Sequence, residues 1–256
     1  MVKRLFAFAC ITPVVLFVVV MVEEPEQSAT PTVRVIYAIP SDREVSPGAP
    51  EAIAAAVTDV QQWYAEQMGG PTFELVDEIP RICRMPHDSD HFDDVDWHVR
   101  AVRAVEGRCL TGQPTVRHIL VLYVDVPPVC DRYIPVSSGK VVRYNRNALG
   151  GRGFAFFNRA HLMGLVEPEQ VHICDGVRVI PDGTLDEWRG VLAHELGHAL
   201  GLLHQDNCLD RSNCLDDSVI GKGAYSYPDT YVHDSDRSFL LRSWQAGSVP
   251  NGNIQW

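Results

Sequence analysis

Two histidines four residues apart, with a glutamate beside the first, define the chemistry open to this chain. The segment reads His194-Glu195-Leu196-Gly197-His198-Ala199-Leu200-Gly201-Leu202-Leu203-His204. On a helix, His194 and His198 share one face a turn apart, so both imidazoles can reach one metal ion. Glu195 can reach a water in an open coordination position, as a general base requires. Gly201 can adopt a left-handed conformation and end the helix. The chain then turns back and offers His204 as a third nitrogen ligand. Three protein ligands leave one position open for water, the catalytic arrangement for zinc rather than the structural one.

The helix that must carry these residues has its own start signal. Thr184 and Glu187 have the spacing of a capping box, in which each side chain bonds the other residue's backbone N–H. Val191, Leu192, Leu196, Ala199 and Leu200 supply the apolar surface that packs it. The bland alternative is a buried helix whose histidines only fill space. Five fixed positions over eleven residues weigh against it.

Those five positions resemble the metzincin zinc peptidases. The resemblance implies one catalytic zinc ion (Zn2+) held by His194, His198 and His204, with Glu195 activating the water. It also implies a peptide or protein substrate. Two other functions stay open: a zinc-binding surface or adhesion module without hydrolytic activity, and a zinc hydrolase of a non-peptide amide. Metzincins place a methionine in a tight turn beneath the metal. Here residues 217–223 resemble that turn, with Ile220 at the methionine position, and no methionine follows Met163. The residue after the third histidine, Gln205, matches no metzincin subfamily pattern. Residues 224–228 fall where the family builds its specificity pocket, so Tyr225 or Tyr227 could donate to an oxyanion or simply pack as wall. An edge strand that pairs with substrate backbone is expected at residues 154–158, making Phe154, Ala155 and Phe156 cleft candidates. An ordinary buried strand after the Gly150-Gly151-Arg152-Gly153 turn is the alternative.

The chain has 256 residues and a formal net charge of −11. No Lys/Arg-rich block occurs, which argues against nucleic acid as a partner. Residues 1–30 read as an export signal or a retained N-terminal membrane anchor, plus a short linker. Lys3 and Arg4 precede an uncharged apolar stretch, and Glu23, Glu24 and Glu26 follow it. The rest, 31–256, is long enough for one catalytic domain and is expected on the extracytoplasmic side, as a monomer. Any membrane contact would run through the N-terminal segment.

Of seven cysteines, Cys10 lies in the export segment. Cys83, Cys109, Cys130, Cys174, Cys208 and Cys214 remain, an even number that suits disulfides in an exported chain. Cys208–Cys214 is the favoured single pair. Residues 80–86 around Cys83 loosely echo the cysteine switch of matrix metalloproteinases, but a disulfide is the better reading.

The remaining elements follow from periodicity. Residues 32–39 alternate as a strand, and 51–68 form a helix with Ile53, Val57, Val60 and Tyr64 on one stripe. A second strand is expected at 72–79. Residues 87–98 hold three histidines and five aspartates. They could bind calcium or a second zinc, but read better as a solvated loop entering a helix at 94–105. The apolar run 116–126 is expected to be the central strand. A short strand lies within 171–180, and a closing helix at 234–243 packs Phe239 and Leu240 inward. The fold expected is α/β, metzincin-like: a mixed twisted sheet, a long N-terminal helix, the active-site helix and an irregular C-terminal part.

Overall fold

The computed structural model describes residues 30–70, 72–93, 96–110, 118–126, 148–151, 153–168, 173–174, 177–178, 184–204 and 217–245. The first strand, β1 (Thr32–Ile39), is buried on both faces. Val33, Val35, Tyr37 and Ile39 point into the larger core, while Ile36 and Ala38 point into a smaller one on the opposite face. Alternation therefore correctly located the strand, and apolar residues in both registers bury it within the sheet. Each fully buried Val or Ile contributes roughly 1.5–3 kcal/mol.

Helix α1 (Ala49–Met68) covers the larger core with Ile53, Val57, Val60 and Tyr64, the expected stripe. Strand β2 (Glu74–Arg84) runs beyond the expected end at residue 79, because pairing with β1 continues to Arg84 after a register shift. A short 3-10 turn, Ser89–Phe92, precedes α2 (Trp97–Arg108), which covers the smaller core. The loop aspartates include Asp88, whose carboxylate caps that turn by accepting from the His91 N–H. Asp94 lies outside the described residues.

Strand β3 (His118–Val124) is central, as its apolar run predicts. The described strands order as β2, β1, β3, β5, β4 across one mixed sheet. β1, β2, β3 and β5 (Phe154–Phe157) run parallel, and β4 (Ala148–Gly151) is antiparallel to β5 at the sheet's end. This corrects one expectation. Phe154–Phe157 is an interior strand, with β3 on one side and β4 on the other; among the described strands the edge is the glycine-containing strand before it. Ala155 and Phe156 are fully buried core residues, so their side chains form no cleft surface.

Helix α3 (Arg159–Val166) follows directly, capped by the Asn158 side chain accepting from the Ala160 N–H. Periodicity alone did not reveal it, since eight residues give barely two turns. Residues 171–180 hold two short antiparallel strands rather than one, β6 (Ile173–Cys174) and β7 (Val177–Arg178). Helix α4 (Leu185–Ala199) lies against α1, β4 and β5. Helix α5 (Asp234–Gln245) closes the described chain. Leu240 is fully buried there, but Phe239 is exposed, contrary to expectation. No helix among the described residues is long and apolar enough to cross a membrane.

Two further links tie the elements together. Cys83 and Cys109 form a disulfide that joins β2 to the end of α2. This excludes Cys83 as a free switch thiol. Cys130, Cys208 and Cys214 lie outside the described residues, and with them the expected Cys208–Cys214 pair. Beyond the end of β3, the buried Asp125 carboxylate accepts from Tyr37 Oη and Ser46 Oγ and pairs with Arg159 at the start of α3. Burial, and then the Asp125 carboxylate, push the Tyr37 hydroxyl up to about 12. A buried carboxylate so partnered locks β1, the loop after it and α3 into one arrangement.

Candidate metal centre

Helix α4 starts as its sequence dictates. Thr184 Oγ1 accepts from the Glu187 N–H, and Glu187 accepts from the Thr184 N–H, completing the capping box. The helix ends at Gly201, whose φ of 102° lies in the region that favours glycine. The Leu202 N–H donates to Gly197 O and the Gly201 N–H to His198 O, the paired bonds of a Schellman ending. Through this reversal the chain brings His204 beside the two helical histidines.

The three imidazoles converge. His198 Nε2 lies 3.1 Å from His194 Nε2 and 3.1 Å from His204 Nε2. Metal–nitrogen bonds of roughly 2.0–2.1 Å at tetrahedral angles separate ligand nitrogens by about 3.3 Å, so this spacing suits one ion. Hydrogen bonding fixes which nitrogens face inward. His194 Nδ1–H donates to Val219 O at 2.8 Å, and His198 Nδ1–H donates to Leu202 O at 2.9 Å. In its neutral form each ring therefore turns an unprotonated Nε2 toward the shared point. Lone pairs facing one another at 3.1 Å repel unless a cation lies between them, so the donor set fits a metal ion. Among the described residues this is the one group of three or more such side chains that could hold a metal.

Burial grades across the ligands. His194 is buried, His198 is half-buried and His204 is exposed, so the site opens to solvent on the His204 side. Burial holds the His198 imidazole below its ordinary pKa; the Leu202 carbonyl opposes this and the neighbouring His204 adds to it. The net effect favours the neutral ring a metal needs. Glu195, next to His194, is half-buried on α4.

Ile220 packs against the histidine-bearing helix. It is 3% exposed, and a Cβ added to Gly197 would collide with its Cδ1. Its predecessor Val219 supplies the carbonyl that orients His194. The turn thus supports the ligands in two ways, by packing and by a hydrogen bond. The two candidate tyrosines separate. Tyr225 is 44% exposed. Tyr227 is buried, and its hydroxyl is engaged with Asp59 Oδ2 of α1 at 2.6 Å.

Sequence reasoning missed the carbonyls of Val219 and Leu202, because a backbone acceptor leaves no residue-type signature. It also missed the edge position of β4. The main-chain bond from Gly153 N–H to Ala199 O, at 2.9 Å, ties the entry of β5 to the end of α4 and so sets that edge beside the helix carrying His194 and His198.

No protein-family model and no curated protein sequence matches this chain. Its fold does have counterparts among solved structures. One crystal form of wild-type OgpA from Akkermansia muciniphila matches with a TM-score of 0.57 at 17% identity, over 88% of this chain and 62% of that one. A second form of wild-type OgpA gives 0.55 at 16%, over 88% and 63%. Catalytically inactive OgpA in complex with an O-glycopeptide substrate, glycodrosocin, gives 0.55 at 16%, with the same coverage. This chain thus spans under two thirds of the OgpA chain, and what the two share is a mixed α/β, zincin-like fold.

Proposed function

We propose that this chain is a zinc-dependent endopeptidase of metzincin type. The observation that carries the reading is the convergence of His194, His198 and His204 at one point, with Glu195 adjacent on the same helix. Zinc held by the three histidines would supply a Lewis acid that acidifies water and polarises the scissile carbonyl. Glu195 takes the proton from the attacking water and delivers it to the leaving amine. The carbonyls of Val219 and Leu202 hold the His194 and His198 rings in the tautomer that ligation needs. The opening on the His204 side admits the substrate. Residues 31–256 form the catalytic domain, carried across a membrane by the 1–30 segment.

The substrate is a peptide chain. OgpA holds an O-glycopeptide on a similar fold, so glycosylated and bare peptides both belong in the test. The experiment compares the unmodified protein with Glu195→Gln on an unfolded protein and on matched peptides with and without an O-glycan. Zinc content is measured in parallel. The variant keeps its zinc and its fold and loses roughly 10²–10⁴ in rate, the share of a positioned general base. Equal rates would exclude Glu195 as the base. A zinc-loaded, unmodified protein that cleaves nothing would favour a binding module.

A further inference from the structure

The face of α1 turned toward the metal helix carries a row of polar contacts that packing alone does not require. Asp59 accepts from Tyr227 Oη at 2.6 Å. Trp63 Nε1–H donates to Pro228 O at 3.1 Å. Gln67 accepts from the Val232 N–H at 3.3 Å. Residues 59, 63 and 67 recur every four positions, so they line one stripe of the helix. Through them α1 holds the segment that follows the Ile220 turn. Tyr64 sits beside this stripe and reaches the metal helix itself. Its hydroxyl donates to Ala193 O at 2.8 Å, with the whole side chain buried.

Ala193 immediately precedes His194. In a helix its carbonyl already accepts from the N–H four residues on, that of Gly197. The Tyr64 hydroxyl thus adds a second bond at the turn that spans His194 and His198. Gly197, in the same turn, has no side chain, and a Cβ there would lie 2.8 Å from Tyr64 Oη. The absence of a Cβ lets the hydroxyl come this close. On its other flank the same turn meets Ile220, whose predecessor Val219 orients His194. The turn bearing two ligands is therefore gripped from α1 by a hydroxyl and from the 217–220 turn by an aliphatic group and a carbonyl.

We propose that Tyr64 is a positioning residue for the metal centre: its hydroxyl sets the seat of the His194–His198 turn, and with it the angle at which the two Nε2 atoms meet. This rests on the metal-dependent peptidase reading. Tyr64 touches neither metal nor substrate; it acts through the backbone of Ala193. Tyr64→Phe removes the hydroxyl and leaves the ring, its contacts with Trp63 and Phe73, and the helical bond of Ala193 O in place. The helix therefore persists while its seat loosens.

The test uses the full chain with cobalt(II) as the probe, because its visible bands report ligand number and angle. Tyr64→Phe, with unchanged far-ultraviolet circular dichroism, should bind cobalt roughly tenfold to a hundredfold more weakly, as loss of an outer partner does elsewhere. Its cobalt bands should shift, and kcat should fall with KM unaltered. A merely structural hydroxyl would lower the melting temperature and leave the cobalt spectrum alone. As a second variant, Trp63→Phe removes the neighbouring donor to Pro228 and should keep the native cobalt spectrum. If Tyr64→Phe binds cobalt with native affinity and spectrum while the unmodified protein binds metal and cleaves, the positioning role is overturned and the peptidase reading stands. If the unmodified protein binds no cobalt at His198, both fall.

Discussion

The two faces of the sheet share their strands and differ in how they hold their helices. On one face α2 packs over Ile36, Ala38, Leu122, Val124 and Phe156, and the Cys83–Cys109 disulfide ties its end to β2. On the other, α1 and α4 pack over Val33, Val35, Tyr37, Val121 and Tyr123. There, side chains bond backbone carbonyls of neighbouring segments, as Tyr64 of α1 does to Ala193 of α4 and His194 of α4 to Val219 in the turn. A disulfide fixes a distance and limits the unfolded chain, and it leaves ring angles on a distant helix untouched. Hydrogen bonds to particular carbonyls fix orientation, which a metal centre needs. The three converging histidines sit on the face held by orientation.

If that division is right, damage to the two faces should look different. The largest effect is expected from His198→Ala. His198 is the middle of the three expected ligands, its Nε2 3.1 Å from that of each of the other two. Its loss should weaken zinc binding by at least roughly 10²-fold, beyond the 10–100-fold typical of an outer partner. Zinc content after dialysis checks this, and full retention would undo the ligand assignment. On the other face, Cys83→Ala with Cys109→Ala removes a link between positions 26 residues apart. That should cost about 3–4 kcal/mol in denaturant unfolding by the loop-entropy relation. Zinc content and cleavage rate at 25 °C should stay unchanged. A matching loss of zinc would mean the two faces are not separable.

A smaller effect is expected from His161, buried between Tyr123, Phe157 and Trp188. Its Nε2–H donates to Trp188 O at 3.0 Å, and burial, partly offset by that bond, brings its pKa down to about 3. The unfolded ring titrates near 6.5, so between these values the unfolded chain binds the extra proton. The stability due to the neutral ring is complete above pH 6.5 and declines as the pH falls toward 3. At pH 5 the loss amounts to about 2 kcal/mol. His161→Leu should show that much less loss between pH 7 and pH 5, measured by urea unfolding with a chelator present. Parallel losses in both proteins would remove His161 as the cause.

Much of the site was legible because its signals are local. The capping box needs only Thr184 and Glu187, and the ligand pair only a four-residue spacing. The helix ending needs only Gly201. β1 and α1 were legible because their apolar periods are unbroken over whole elements. What stayed hidden depends on partners far along the chain. Whether Phe154–Phe157 is edge or interior depends on its pairing with both β3 and β4, and four residues with three aromatics look alike in either place. Cys83 finds Cys109 only once β2 and α2 are packed. The bonds from α1 to Ala193 and Pro228 span 129 and 165 residues, and no short window contains them.

Ile220 tests the comparison most finely, because it belongs to the site face yet acts by shape alone. It is 3% exposed against Gly197, where metzincins would place methionine. Isoleucine and methionine have similar volumes, but methionine is unbranched and reaches further. If the turn needs only an apolar body of that size, Ile220→Met should cost less than about 1.5 kcal/mol and leave zinc content unchanged. Ile220→Asp sharpens the point by burying a carboxylate against the ligand helix. Stability should then fall by several times as much and zinc retention should weaken. Urea unfolding and zinc quantitation on both variants decide the matter. If the methionine variant loses zinc without losing stability, the turn controls ligand angle through side-chain shape. If the aspartate variant matches the native protein in both, Ile220 supports nothing beneath the site.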